Sequence, residues 1–171
     1  MKGNTVSGRK KQVLLIGDSG EFEDKNKVAY EIGRFIARNG WVLITGGRDG
    51  VMDWASRGAY EEGGTVVAIT PFDSLENVTP FATVVIPTGM GFARNYINVL
   101  SADVVVAVGG GAGTLSEIAY AWQFNKPIIA CSFVNGWSKE VAGKRLDYRE
   151  RDPVINASSL EEVFDWLKKI L

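Results

Sequence analysis

Glycine crowds into one short run of this chain. Gly109, Gly110, Gly111 and Gly113 fall within five positions, Thr114 follows, and Glu117 stands three residues further on. A turn this rich in glycine lets the backbone take positive φ and lets a ligand approach the main chain closely. With Thr114 opening a helix over Leu115–Phe124, the first free N–H groups and the helix dipole face back into the turn and make an anion site, most often one for phosphate. A bare β–α turn needs one glycine rather than four. A second loop, Gly46-Gly47-Arg48-Asp49-Gly50, carries a cation, and Arg94 falls in the first turn of another expected helix. An exposed cation there opposes the helix dipole at a cost of about 0.3–1 kcal/mol. Arg94 therefore asks for an anionic partner, either Glu117 or a ligand phosphate.

Several other chemistries are excluded by residues the chain lacks. It has no histidine, which removes Ser-His-Asp and Cys-His catalysis and histidine metal sites together. Its single cysteine, Cys131, allows no internal disulfide and no cysteine zinc cluster, and it reads as a small core residue in the apolar run Pro127–Val134. No metal site is expected. Acid–base work must fall to Asp, Glu, Lys, Tyr or an activated water.

The elements that position these residues alternate strand and helix. Strands are expected at Gln12–Gly17, Trp41–Thr45, Thr65–Thr70, Thr83–Ile86, Asp103–Val108 and Pro127–Phe133, with a short edge strand at Val154–Asn156. Helices are expected at Lys25–Asn39, from Gly50 to about Glu62, and at Phe92–Leu100 and Leu115–Phe124. A short helix capped by Ser138 and a last helix capped by Ser159 complete the set, with Glu162 closing a capping box on Ser159. Pro71–Pro80 reads as a polar connection with room for one helical turn. Apolar β-branched strands alternating with helices predict a three-layer, Rossmann-like, doubly wound α/β fold with a mainly parallel sheet of about six or seven strands. Ligands of such sheets bind at the carboxyl ends of the strands. The loops after strands one, two, four and five all lie at that edge, and they read as a site for a phosphorylated ligand, most simply a nucleotide. A dinucleotide fingerprint, G-x-G-x-x-G, is absent after strand one.

The 171 residues suit a single domain over 11–171 behind a loose tail at 1–10, and 46% hydrophobic content is enough for one core. A net charge of −1 gives no sign of a nucleic-acid partner, and no stretch approaches a membrane span. The run Val13–Ile16 is too short for a signal-peptide core. The expectation is a soluble cytoplasmic protein without nucleic-acid or membrane partners.

The two glycine loops and Arg94 together resemble the lysine-decarboxylase-like proteins of Rossmann-type fold, which include the cytokinin-activating phosphoribohydrolases and the molybdenum-cofactor carrier proteins. The phosphoribohydrolases carry P-G-G-x-G-T-x-x-E, which here reads Gly109 to Glu117. They carry a glycine loop after strand two, matched by GGRDGVMD, Gly46 to Asp53. They also carry Arg-Lys before the central strand, matched in part by Arg94-Asn95. The likeness runs from Val13 to Pro127. Gly109 stands where the active enzymes have proline, and Asn95 where they have lysine. In these respects the chain is closer to the uncharacterised and carrier-like members. Nothing in it looks like the pyridoxal-phosphate lysine site that the superfamily's name suggests.

The resemblance implies three functions. One is hydrolysis of the N-glycosidic bond of a nucleoside 5′-monophosphate. In that reading Glu117 stabilises an oxocarbenium-like sugar, orients the ribose or positions water, and Arg94 holds phosphate or assists the leaving base. The second is non-catalytic carriage of a phosphorylated pterin such as the molybdenum cofactor, and the third is nucleotide sensing. No cofactor is required by any of them, and the bound molecule is a nucleoside monophosphate or a phosphorylated pterin. Gly110, Gly111, Gly113, Thr114, Gly46, Gly47, Arg48 and Ser19 are the expected phosphate-binding set. Each has a plainer reading. Thr114-x-x-Glu117 is also a capping box, Asp49 also a helix cap, Arg48 also a solvated loop cation, Ser19 also a turn residue and Trp137 also a packing residue. Family habit and the abundance of apolar and aromatic residues add a homodimer or higher homo-oligomer.

Overall fold

The computed structural model describes residues 8–171. Most of the expected N-terminal tail lies outside the described residues. At its end, Arg9 is held to Asp103 by bonds of 2.7 and 2.9 Å. The chain forms a seven-stranded, all-parallel sheet in the order β4-β3-β2-β1-β5-β6-β7. The strands are β1 Gln12–Gly17, β2 Val42–Thr45, β3 Thr65–Thr70, β4 Val84–Pro87, β5 Val104–Val108, β6 Ile128–Cys131 and β7 Ile155–Ala157. The helices are α1 Glu23–Arg38, α2 Val51–Glu61, α3 Arg94–Leu100, α4 Ala112–Gln123, α5 Trp137–Val141 and α6 Leu160–Ile170.

Both faces of the sheet are covered, and the sequence of β1 shows why. Side chains alternate across a strand, and every residue from Val13 to Ile16 is apolar. Val13 and Leu15 enter one core with residues of α1, α2 and α6. Leu14 and Ile16 enter the other with Val99 of α3 and Ile118, Ala121 and Trp122 of α4. The run is continuous because it is buried twice. Chain order reverses at β1, which pairs with β2 on one side and β5 on the other. A sheet of this type opens a crevice at such a reversal, beyond the carboxyl ends of the strands. Among the described residues, no helix is long and apolar enough to cross a membrane.

Departures from the expected elements are local. Pro71–Pro80 holds bends and turns and no helical turn. A single 3₁₀ turn, Gly91–Ala93, precedes α3. Helix α4 starts at Ala112, not after Thr114, because extended Gly111 ends the turn and leaves Thr114 inside the first helical turn. Ser138 does not cap α5; Gly136 holds that position, and the buried Ser138 hydroxyl donates to Cys131 O at 2.7 Å. Ser159 does cap α6, accepting from Glu162 N at 3.2 Å, but the Glu162 carboxylate returns to Ser158 N.

Candidate functional site

The loops that leave the carboxyl ends of β1 to β5 enclose a cleft of about 680 Å³. That volume suits a small organic ligand. Asp18 and Ser19 follow β1, Arg48 follows β2, Phe72 follows β3 and Phe92 follows β4. Gly111 to Thr114 follow β5, and Arg94 and Glu117 enter from α3 and α4. Of the residues singled out in the sequence, Ser19, Arg48, Arg94, Gly111, Gly113, Thr114 and Glu117 come together here. Phe22, Met52, Pro71, Phe72 and Phe92 add an apolar wall beside this polar end.

Gly110, Gly46 and Gly47 do other work. Positive φ belongs to Gly109 and Gly110, at 65° and 99°. Their backbone is consumed by the protein itself. Gly109 N–H donates to Ser138 Oγ at 2.8 Å, and Gly110 N–H donates to Asp18 Oδ2 at 2.7 Å. The Gly110 N–H is thus committed to Asp18. Gly111 has φ −101° and a Cβ placed on it would meet nothing; the same space is open at Gly113. Leu115 N–H makes the first bond of α4, to Gly111 O, so the N–H groups of Ala112, Gly113 and Thr114 precede the helical ladder at the cleft. Gly46 lacks a side chain because a Cβ there would strike the Arg94 guanidinium. Gly47, at φ 68°, donates to Thr45 Oγ1 and lines a neighbouring recess with Arg48 and Asp49. Asp49 is not a side-chain cap of α2, whose cap is Gly50.

Asp18 is the pin of this arrangement. Its Oδ2 also accepts from Lys25 Nζ at 2.7 Å, in an ion pair whose side chains are 10% and 17% exposed. One carboxylate thus ties the β1 exit loop, the first turn of α1 and the glycine corner. The Thr114 hydroxyl donates to Gly17 O at 3.1 Å, joining α4 to the same loop. Trp137 donates its backbone N–H to Gly110 O, so its contribution to the corner is through the main chain.

Arg94 and Glu117 face the cleft without forming an ion pair within 4.0 Å. Arg94 is 6% exposed, and its Nε has no hydrogen-bond partner among the described residues. Burial lowers its pKa, opposed by the charge of Glu117 and reinforced by that of Arg48. A buried guanidinium left this way is costly until an anion meets it. Glu117 is 7% exposed. Burial pushes its acid up to about 7, against the hydrogen bond from Asn98 and the charge of Arg94. Asn98 Nδ2 donates to Glu117 Oε1 at 3.0 Å, and Asn98 Oδ1 is buried with no partner among the described residues. The capping box read at Thr114-x-x-Glu117 is absent, since the carboxylate turns to α3. Asn95 binds Ser116 Oγ at 2.9 Å and so fixes α3 against the start of α4.

Sequence reasoning missed Asn98, Lys25 and the pinning role of Ser138. Arg94, Asn95 and Asn98 are spaced so that i, i+1 and i+4 of one short helix are polar yet buried. That pattern is the signal that α3 serves a site.

The family model of the SLOG cluster4 family matches residues 10–164. An uncharacterized protein of Archaeoglobus fulgidus is 44% identical over 119 residues, covering 70% of this chain and 78% of the relative. The structure of the molybdenum cofactor binding protein from the phototrophic bacterium Rippkaea orientalis superposes with a TM-score of 0.85 at 40% identity, over 96% of this chain and 99% of that one. The molybdenum cofactor carrier protein of Chlamydomonas reinhardtii gives 0.82 at 33% identity, over 95% and 98%.

Proposed function

The chain belongs to the SLOG cluster4 family, and from that membership and the make-up of the cleft we propose that it binds and carries a phosphorylated small molecule of the molybdenum-cofactor type. The observation that carries this reading is Arg94, a buried guanidinium whose Nε has no partner and which makes no ion pair among the described residues, set at the polar end of a cleft of ligand size. The phosphate of the cargo meets Arg94, Arg48 and the open N–H groups at the start of α4. The planar part lies along Phe72 and Phe92. Glu117 is not needed as a nucleophile or base in this role. Two structural relatives of high similarity are described as molybdenum cofactor binding or carrier proteins, which favours carriage over hydrolysis.

The test pairs binding with turnover. Calorimetry with a pterin monophosphate should show binding that Arg94→Ala weakens at least tenfold, the scale of a charge-assisted phosphate contact. AMP and other nucleoside monophosphates should release no base. Release of adenine from AMP that Glu117→Gln abolishes would replace carriage with the phosphoribohydrolase reading.

A further inference from the structure

The cleft places an acid beside the position for its anion. Glu117 lines the same cleft as Arg94 and is held by Asn98 at 3.0 Å. An ionised Glu117 would repel the phosphate that Arg94 attracts. A protonated Glu117 removes that repulsion and supplies an O–H. The unpartnered Asn98 Oδ1 stands on the residue that already donates to Oε1. A carboxylic acid and a carboxamide pair through both groups, with amide N–H to acid C=O and acid O–H to amide oxygen. Asn98 therefore offers a partner for each protonation state.

Resting on the proposed phosphate-carrying role, we infer that the cleft takes its anion together with one proton, which moves from solvent to Glu117 and is held there by Asn98. Glu117 is then a specificity-determining acid that couples loading to pH. Burial outweighs the Asn98 hydrogen bond and the Arg94 charge and leaves the acid at about 7, so the proton is available at ordinary pH, and a bound phosphate raises its hold further. The charge acting on it is that of Arg94 from α3; Arg48 from the loop after β2 and Asp18 from the loop after β1, itself paired with Lys25, line the same cleft. Strands β1 and β5 bring no titratable side chain. Cys131 of β6 lies in the core on the opposite face of the sheet, and Lys139 and Glu140 of α5 are exposed and do not line the cleft.

Sulfate is the probe, because its charge is fixed across the range used. Its affinity is read from thermal melting at graded sulfate between pH 5.5 and 8.5. Wild type should bind with one dissociation constant at the acid end, which weakens toward about tenfold per pH unit above pH 7. Glu117→Gln, neutral throughout, should bind at every pH with about the acid-end affinity of wild type. As a check that needs no variant, calorimetry at pH 8 in two buffers of different ionisation enthalpy should show about one proton taken up per sulfate bound. Equal, pH-independent binding by both proteins, or no proton uptake, would overturn the coupling and leave the anion site standing. No sulfate binding by wild type, with Arg94→Met unchanged from it, would overturn the anion site and the coupling together.

Discussion

Glu117→Gln should remove a pH dependence from the stability of the empty fold. Burial holds the Glu117 acid at about 7 against an ordinary 4.5. Between those values the folded chain keeps a proton that the unfolded chain has released. Stability then falls as pH rises, by about 1.4 kcal/mol per pH unit, and levels off above the folded value. From pH 5 to pH 7 this amounts to about 2 kcal/mol. Glutamine keeps an acceptor for Asn98 and never ionises, so the other titrating groups cancel when the two proteins are compared. Urea unfolding at pH 5, 6, 7 and 8 gives both curves. Wild type should lose about 2 kcal/mol or slightly more relative to the variant across the series, most of it below pH 7. A difference between the two proteins that stays constant within about 0.5 kcal/mol from pH 5 to pH 8 would refute the burial argument.

Two other expectations concern the glycine corner and the surface. Gly110→Ala places a side chain at φ 99° against Thr114 and should cost about 1–3 kcal/mol, whereas Gly111→Ala, at φ −101° with open space, should stay within about 0.5 kcal/mol; urea denaturation measures both, and equal costs would mean the corner is not strained. Phe92 is 82% exposed, and β4 and α3 leave Val84, Ile86 and Leu100 uncovered, so a homodimer or larger homo-oligomer is expected. Light scattering that returns only 18.6 kDa at micromolar concentration would count against it.

The sheet was legible because its information is local. Apolar β-branched runs of strand length, each followed by a glycine loop and a helix, leave few alternatives to a parallel α/β sheet. The site was legible only as a neighbourhood. Glu117, Arg94 and Arg48 could be placed at one edge by counting strands, but their partners lie far away in sequence. Asp18 meets Gly110 across 92 positions, and Asn98 meets Glu117 across 19. How the glycine run divides its roles was not legible, for the same reason. Gly109 and Gly110 carry the positive φ and donate to Ser138 and Asp18, while Gly111 and Gly113 have open space beside them. A helix start is equally non-local here: Thr114 looked like a cap, yet its hydroxyl is spent on Gly17 O.

The same carboxylate bears on the choice between hydrolysis and carriage. A group that stabilises a developing sugar cation must be ionised while a phosphate sits beside it. Burial already holds Glu117 at about 7, and an added anion moves it higher. If the cleft holds an anion as proposed, the acid form of Glu117 is favoured, and that form donates a hydrogen bond and offers no charge to an oxocarbenium ion. The charge of Arg94 favours the ionised form, but burial outweighs it. A carrier has the opposite need: it must hold an anion firmly and let it go without chemistry. A buried guanidinium that attracts the phosphate, with an acid that repels it only when deprotonated, meets that need. Release would follow from a modest rise in pH or from any contact that drew the proton off Glu117.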